Sequence, residues 1–369
     1  MTSFLITKKD NKSYEEKLSS APESTQRNKA YAVQVFERFC QEKYEKCSEE
    51  IIKEIIKIKQ DQSEEYENAL YDVLQEWINW NKKREIGSYT IRTQFSNLRK
   101  YLFHMGVKTN EQDIKEYLTF EKISREERYP MSTEEYRVII EGFFRNPRLQ
   151  ALFLALGSSG MRIGEAINLK KKDLDLTKKR IKVNIPPTTK TRVGRSTYVS
   201  YETEKVLRPL LEKLEPDEYV FAKKNCKTSD RSIRTSLNRR LARIGFTEKY
   251  QSNNYKKITS HSFRAYFFTK ATRKHGENYA HKITGHGGYL MQYDRITEDE
   301  KLQMYLKLEP ELVVFDQTKN EIEIQRLQSE VGQVEQLKQE VQELRRNQAE
   351  QDKRILEQLV HRGIVPKIL

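Results

Sequence analysis

Cysteine is scarce in this chain: its 369 residues include only Cys40, Cys47 and Cys226. The three form no Cys-x-x-Cys pair, and no histidine lies near any of them at metal-ligand spacing. Structural zinc sites need cysteine and histidine ligands at such spacing, and folds held by disulfides carry many more cysteines. The sequence therefore predicts free thiols, no disulfide and no zinc site.

Long apolar runs are also missing. No window approaches the roughly 18 uninterrupted apolar residues of a membrane-spanning helix. The first nine residues, MTSFLITKK, lack the length and the order of regions of a signal peptide. Hydrophobic residues make up only 36%, but 20 Tyr and 15 Phe supply apolar area for compact cores. We therefore expect a cytoplasmic protein, large enough for two domains and an appendage.

Basic residues outnumber acidic ones, since 68 Lys and Arg against 54 Asp and Glu give a net charge of +14. The isoelectric point is near 9.3. Such a surplus favours polyanionic partners, because neutralising the phosphates of DNA releases condensed counterions. RNA and acidic lipids also attract basic proteins, so charge alone does not choose among these partners.

The first third of the chain has helical spacing. Residues 1–22 are polar without a clear period, which predicts a flexible leader. Residues 23–121 are predicted to be a small all-helical domain, because four stretches repeat apolar residues every three or four positions. The fourth helix is predicted to begin at Ser88, a capping residue, and to stop at Gly106. The charged residues 122–130 are the predicted linker, which ends at Pro130.

Residues 131–316 mix helical and strand patterns. Ser132 and Glu135 form a capping box that predicts a helix start, and the apolar run 149–156 predicts a buried helix ending at Gly160. Segments 180–185 and 196–200 alternate as two strands around a turn, and helical patterns resume at 202–213 and 230–244. The predicted fold is mainly α with a small antiparallel β-sheet, of the α+β class.

Residues 317–360 form a third kind of segment, and 361–369 a short tail. Its apolar residues alternate in steps of three and four, apart from two successive steps of three at Val331, Val334 and Leu337. This pattern predicts a coiled coil with a stammer, through which copies of the chain self-associate as a homo-oligomer. The alternative is a single amphipathic helix packed on the body.

Two short motifs carry residues that suit phosphate chemistry. Arg162 and Glu165 follow a glycine turn at a helix start, and His261 and Arg264 share one face of another predicted helix. Each motif also has a simpler interpretation, as a surface ion pair and as a polar helix N-terminus.

A Gly-His turn at His286 is followed seven residues later by Tyr293. With 20 tyrosines in the chain, a tyrosine near a histidine is expected by chance. Tyr289 and Tyr305 are competing tyrosines. The order and spacing of all these groups together, rather than any one of them, point to an active site.

A basic face lies on the helical domain. It could grip a nucleic-acid backbone or could be a solvated helix face, and it comprises Lys82, Lys83, Arg84, Arg92, Arg99 and Lys100. Trp77 and Trp80 are interpreted as core and rim aromatics rather than base-stacking groups.

Residues 130–316 resemble the tyrosine recombinases, the phage-integrase and Xer-like family. That family has an arginine in an Arg-x-x-Glu helix, a lysine in a β-hairpin, a His-x-x-Arg, a Gly-His and then a tyrosine. The matching residues, in order, are Arg162, Lys190, His261, Arg264, His286 and Tyr293. The helical domain resembles the family's core-binding domain only in pattern and size, and the family plan does not include the terminal coiled coil.

The resemblance implies metal-free DNA strand cleavage and rejoining with no cofactor. The two arginines would hold the scissile phosphate, Tyr293 would attack it to form a 3′-phosphotyrosyl bond, and Lys190 would protonate the leaving 5′-oxygen. Arg192 and Arg195 are other basic residues near the hairpin tip.

The resemblance further implies double-stranded DNA with inverted half-sites as the partner, a tetramer working on that DNA, and a place on the nucleoid. A type IB topoisomerase-like nicking and closing enzyme is one alternative function. A DNA-binding regulator or architectural protein without catalysis is another.

Overall fold

The computed structural model describes residues 9–61, 65–123, 126–187, 194–222, 226–285 and 295–361, with the side chains of 226–229 and 356–361 left out. The chain divides into two compact units. Unit 1 holds residues 1–127 and 250–254, and unit 2 holds residues 128–249 and 255–369. The division after Glu127 falls inside the stretch predicted as a linker.

Unit 1 is helical wherever it is described in regular structure. Its helices are α1 (Asn11–Leu18), α2 (Glu23–Tyr44), α3 (Ser48–Gln60), α4 (Tyr66–Lys83), α5 (Ser88–Met105) and α6 (Glu111–Tyr117). The apolar stripes of α2 to α5 meet in one core around the fully buried Trp77, while Trp80 lies partly buried at the rim. The four helices predicted from spacing are therefore present.

The prediction of a flexible leader over residues 1–22 is wrong for Asn11–Leu18, which form helix α1. Asp10 and Ser13 close a capping box at its start, and Tyr14 and Leu18 are buried in the core of unit 1. Two apolar residues four apart on an otherwise polar stretch are too few to show a period, although the capping box was readable. Helix α6 lies after the fourth predicted helix, in a charged stretch where no helix was predicted, and none of its residues is buried.

The cysteines described are thiols: Cys40 is buried in the core of unit 1, and Cys47 is the N-cap residue of α3. The side chain of Cys226 lies outside the described residues. Among the residues the structure describes, no three His, Cys, Asp or Glu side chains group as metal ligands.

Unit 2 joins nine described helices to a three-stranded antiparallel sheet. Its helices are α7 (Thr133–Glu141), α8 (Pro147–Ser159), α9 (Ile163–Ile167), α10 (Tyr201–Leu211), α11 (Cys226–Arg243), α12 (Ser260–His275), α13 (Glu277–Thr284), α14 (Glu298–Leu312) and α15 (Asp316–His361). The strands are β1 (Leu174–Asp175), β2 (Lys182–Ile185) and β3 (Arg195–Tyr198), in the order β1-β2-β3, with Val183 opposite Thr197. This is the predicted α+β class. Of the three strands, the two-residue β1 had not been predicted.

Helix α8 is the centre of unit 2. All ten residues from 150 to 159 are buried, and α10 and α12 pack against it. An apolar helix of this kind needs neighbours on every side. The candidate active site lies at the C-terminal end of α8 and at strand β3, which packs beside α8.

The start of α15 is fastened to unit 2. The Glu202 carboxylate on α10 accepts hydrogen bonds from the backbone N–H groups of Val314 and Phe315, and the Arg137 Nε donates to the Val314 carbonyl at 2.7 Å. Ile322 is buried, but the apolar residues from Ile324 to Ile355 are exposed. The alternative of an amphipathic helix packed on the body is therefore wrong for this part of α15. No helix in the described part of the chain is long and apolar enough to cross a membrane.

Candidate active site

The site begins where α8 ends. Gly160 adopts a left-handed backbone with φ +65°, and a Cβ there would lie 2.5 Å from Cδ1 of Phe267. Glycine fits because it has no Cβ. The tight turn leads directly into Arg162.

Arg162 is the N-cap residue of the short helix α9. Its backbone N–H donates to Oε2 of Glu165 at 2.8 Å, and its Nη1 donates to Oε1 of the same carboxylate at 3.0 Å. The carboxylate therefore caps the helix and orients the guanidinium together. Arg162 lies at a helix start, as predicted.

Arg195 on β3 is the second arginine bound to Glu165. Its Nη1 and Nη2 donate to the two carboxylate oxygens at 3.0 Å and 2.6 Å, and both side chains are almost fully buried. Sequence reasoning considered Arg195 only as a basic residue near the hairpin tip. The structure instead places its guanidinium inside the site.

Helix α12 contributes His261 and Arg264. Thr259 accepts a hydrogen bond from the His261 N–H and caps the helix, which begins at Ser260. Arg264 is 2% exposed, donates from Nη1 to the Gly160 carbonyl, and donates from Nη2 to the Thr284 carbonyl at 2.7 Å. His261, one turn earlier, reaches the surface.

Three arginines from three different elements meet the C-terminal end of α13. Arg195 Nε donates to the Ile283 carbonyl at 2.9 Å, Arg264 Nη2 to the Thr284 carbonyl at 2.7 Å, and Arg162 Nη2 to the Gly285 carbonyl at 3.4 Å. The last carbonyls of a helix lack partners within it and carry its negative dipole end, so cations bind there. The chain continues from Gly285 directly into His286.

Gly285 has its own reason to be glycine. Its φ is +67°, and a Cβ would lie 2.8 Å from Nη1 of Arg195. The Gly-His motif therefore begins with a residue that lets the chain turn against the arginine cluster.

The pKa shifts reflect crowded positive charge. Burial, then the neighbouring charge of Arg162, lowers the pKa of Arg264 to about 10. Loss of water, then the charges of Arg264 and Arg162, lowers the pKa of His261. Burial alone would raise the pKa of Glu165, but the hydrogen bonds and charge of Arg195, reinforced by Arg162, bring it below its ordinary value.

At neutral pH this cluster holds three guanidinium charges, on Arg162, Arg195 and Arg264, beside the single carboxylate of Glu165. A largely buried excess of positive charge is an anion site, and forked guanidinium donors suit the oxygens of a phosphate. His261 lies next to this excess and, with its lowered pKa, is a neutral imidazole at pH 7. It is in the protonation state of a base.

The remaining predicted residues of this site, Lys190, His286 and Tyr293, lie outside the described residues, as do Tyr289 and Arg192. Tyr305 is described and is fully buried on α14, where its hydroxyl donates to the Ser158 carbonyl at 2.8 Å. Burial raises its pKa well above the ordinary value. Tyr305 is therefore unsuited to attack a substrate.

The predicted basic face of unit 1 is made from α4, α5 and the turn between them. Some of its cations already have partners within the unit: Lys82 pairs with Glu121, Arg92 donates to the Glu121 carbonyl, and Arg99 donates to Thr109 Oγ1. Lys83, Arg84 and Lys100 are exposed. Sequence reasoning missed α1, whose Lys17 joins Lys29, Arg99 and Lys100 around a cavity of about 540 Å³.

Residues 131–289 match the Phage integrase family. This part of the chain is a tyrosine recombinase domain. The matched range includes Arg162, Glu165, Arg195, His261 and Arg264.

Three solved structures share this fold. A lambda integrase dimer bound to a COC′ core site shares 16% identity, with 78% of this chain and 97% of that chain covered and a TM-score of 0.51. The XerH site-specific recombinase bound to palindromic difH substrate in a post-cleavage complex shares 17%, with 79% and 82% covered and a TM-score of 0.50. A lambda integrase tetramer bound to a Holliday junction shares 15%, with 78% of each chain covered and a TM-score of 0.51. At these identities, the likeness shows the shared fold.

Proposed function

We propose that this recombinase cleaves and rejoins specific sites in double-stranded DNA through a 3′-phosphotyrosyl intermediate. The observation that carries the proposal is the largely buried cluster of three guanidiniums, two of which bind one carboxylate, at the start of the Gly-His motif. The matched family supplies the reaction class, and the excess positive charge supplies a binding site for the phosphate.

In the proposed reaction, Arg162 and Arg264 bind the non-bridging oxygens of the scissile phosphate. Charge builds on those oxygens in the pentavalent transition state, so fixed guanidinium donors stabilise it more than the ground state. Arg195 does not need to contact the phosphate, because it holds Glu165, which in turn orients Arg162.

The nucleophile in this proposal is Tyr293. Its phenol oxygen forms a bond to phosphorus, the bond from phosphorus to the 5′-oxygen breaks, and the phenol proton passes to His261. Lys190 gives a proton to the leaving 5′-oxygen, and His286 donates to a phosphate oxygen. A free phenol has a pKa near 10, so forming phenolate at pH 7 unaided would cost about 4 kcal/mol. The neutral state of His261 supports its part.

The second half of the reaction reverses the first on a different strand. The 5′-hydroxyl of the partner duplex attacks the phosphotyrosyl phosphorus and passes its proton to Lys190. The bond from phosphorus to the tyrosine oxygen breaks, and the tyrosine regains its proton from His261. One phosphoester bond is exchanged for another at each step, so the bond energy is conserved and no cofactor is needed.

We further propose that the partner is duplex DNA with inverted half-sites, bound by a homotetramer on the nucleoid. The solved relatives that support this are a lambda integrase dimer on its core site and a tetramer on a Holliday junction. In unit 1, the basic residues Lys83, Arg84 and Lys100 are the exposed candidates for phosphate contacts, since each cation that reaches a phosphate adds to salt-dependent affinity.

The test is covalent trapping on a nicked suicide substrate that carries the chain's target site. The wild type should give a protein–DNA adduct that resists denaturation, and Tyr293→Phe should give none. Tyr289→Phe and Tyr305→Phe are matched controls that should keep the adduct. Adduct formation by Tyr293→Phe would refute the assigned nucleophile, and no adduct from the wild type would refute catalysis.

A second assay separates recombination from nicking and closing. A supercoiled plasmid without a specific site should stay supercoiled with this protein. Efficient relaxation of that plasmid without recombinant products would mean a topoisomerase-like activity instead.

A further inference from the structure

The exposed side of α15 is an apolar stripe without a partner in the described part of the protomer. Its residues are between 47% and 61% exposed, and they are Ile324, Leu327, Val331, Val334, Leu337, Val341, Leu344 and Ile355. Scattered apolar surface residues are ordinary, but a stripe along one face of a long helix, interrupted only at Gln348 and Gln351, marks an interaction surface.

The stripe follows two heptad registers joined at the stammer. In the first, Ile324 and Val331 are at position a and Leu327 at position d. Val334 is at position d of this register. Because two steps of three follow each other, Val334 is also position a of the second register, with Leu337 at its d. From residue 324 to residue 355 the seam spans about four and a half heptads, which is long enough for a stable pair of helices.

The side chains at a and d differ in shape. The a positions hold β-branched Ile324, Val331, Val341 and Ile355, and the d positions Leu327, Leu337 and Leu344 hold leucine. β-Branched Val334 belongs to both registers, as d of the first and a of the second. Gln348 and Gln351 interrupt this rule. β-Branched residues at a with leucine at d favour parallel two-stranded coiled coils, because the two layers accept different side-chain directions.

Charges beside the seam fit the same arrangement. Glu340 is at position g and Arg345 at the following e position, and both are exposed in the protomer. In a parallel dimer, g of one helix lies against the next e of its partner. Two-fold symmetry would therefore give this opposite-charge pair twice.

We propose that residues 324–355 of α15 pair with the same residues of a second copy as a parallel, in-register, two-stranded coiled coil. The pairing depends only on the α15 surface, so its test is independent of the strand-transfer chemistry. Because Ile322 is still buried in unit 2, the coiled coil begins two residues beyond the body and joins two copies of that unit at equivalent points.

The first test is the mass of the DNA-free full chain by sedimentation and light scattering. The wild type should form a dimer of about 88 kDa, twice the protomer's 43.9 kDa. Leu337→Lys with Leu344→Lys places charge at d and should give the protomer mass, while Gln339→Lys with Gln342→Lys adds the same charge at outer positions and should stay dimeric. A monomeric, trimeric or tetrameric wild type, or a dimeric Leu337 and Leu344 variant, would overturn the proposal.

Orientation is tested by cross-linking in a mild redox buffer, with the wild type as the blank for the native cysteines. A disulfide needs Cα atoms within about 7 Å. Leu344→Cys should therefore form a disulfide dimer, and the outer-position control Gln342→Cys should not. A disulfide that forms only when Val334→Cys and Leu344→Cys protomers are mixed would mean an antiparallel pair and would overturn the parallel one.

The charge pair provides an independent test. Glu340→Arg places two arginines against each other across the seam and should weaken the dimer about threefold to tenfold. Adding Arg345→Glu restores opposite charges and should restore the dissociation constant. Equal weakening by the single and the double variant would contradict the register.

Discussion

Replacing Arg195 by methionine should destabilise unit 2 from inside the site. Methionine keeps an apolar stem but removes both donors to Glu165 and the donor to the Ile283 carbonyl. Breaking a buried ion pair by removing one partner costs about 3–5 kcal/mol, because the other charge stays buried with less compensation. We expect a loss of that size in the free energy of unfolding near pH 7.

The loss should depend on pH in a specific direction. In the wild type the pKa of Glu165 lies below its ordinary value, so its contribution to stability is present above the unfolded pKa of about 4.3 and is lost as pH falls through the folded pKa. In Arg195→Met, burial should raise that pKa, so stability is instead lost as pH rises through it. The difference in the free energy of unfolding between the wild type and Arg195→Met should therefore become smaller from pH 7 toward pH 4.

Urea unfolding followed by circular dichroism at several pH values measures this gap. Arg208→Met is the matched control, because Arg208 pairs with Glu204 at 3.3 Å but its side chain is 46% exposed. Exposed pairs contribute only about 0–1 kcal/mol. Two results would refute a stabilising role for the Arg195–Glu165 pair. One is a loss of unfolding free energy in Arg195→Met no larger than in the control, and the other is an equal loss at pH 4 and pH 7.

Three further predictions follow from described side chains. Tyr305→Phe should lower the free energy of unfolding by about 1 kcal/mol, measured in urea, because the buried Ser158 carbonyl loses its donor; a change below a few tenths would contradict that hydrogen bond. His261 should titrate below pH 6.5 by NMR in the DNA-free protein, since lost water and two neighbouring arginines lower its pKa, and a titration above pH 7 would refute the neutral base. Lys100→Ala should reduce the salt dependence of DNA binding by about one ion, measured by fluorescence anisotropy, whereas an unchanged slope would remove Lys100 from the DNA contacts.

Much of the fold was predictable because its helices have strong apolar periods. The central helix α8 is an uninterrupted apolar run, and helices α2 to α5 each repeat apolar residues on one face. Helix α1 was not predicted because it buries only Tyr14 and Leu18. Strand β1 was not predicted because it is two residues long. Short elements are stabilised by tertiary contacts, which leave little local pattern.

The site was predictable where its residues are close in sequence. Arg162 with Glu165, and His261 with Arg264, each lie three residues apart, so helical geometry already relates them. Arg195 pairs with Glu165 across thirty residues of chain, and the two meet because α9 and β3 both pack against α8. No local spacing encodes that contact. The burial of Tyr305 did leave a signal, because Leu302, Tyr305, Leu308 and Leu312 share one face of α14.

The three arginine-to-carbonyl hydrogen bonds at the end of α13 link two events. A phosphate that takes an Nη donor of Arg162 or Arg264 competes with the Gly285 or Thr284 carbonyl for the same guanidinium. By thermodynamic linkage, phosphate binding then changes the stability of the helix end that leads into His286, and the state of that end changes phosphate affinity by the same factor. Under the proposed mechanism, phosphate occupancy and the backbone entering the Gly-His motif are therefore a single coupled equilibrium.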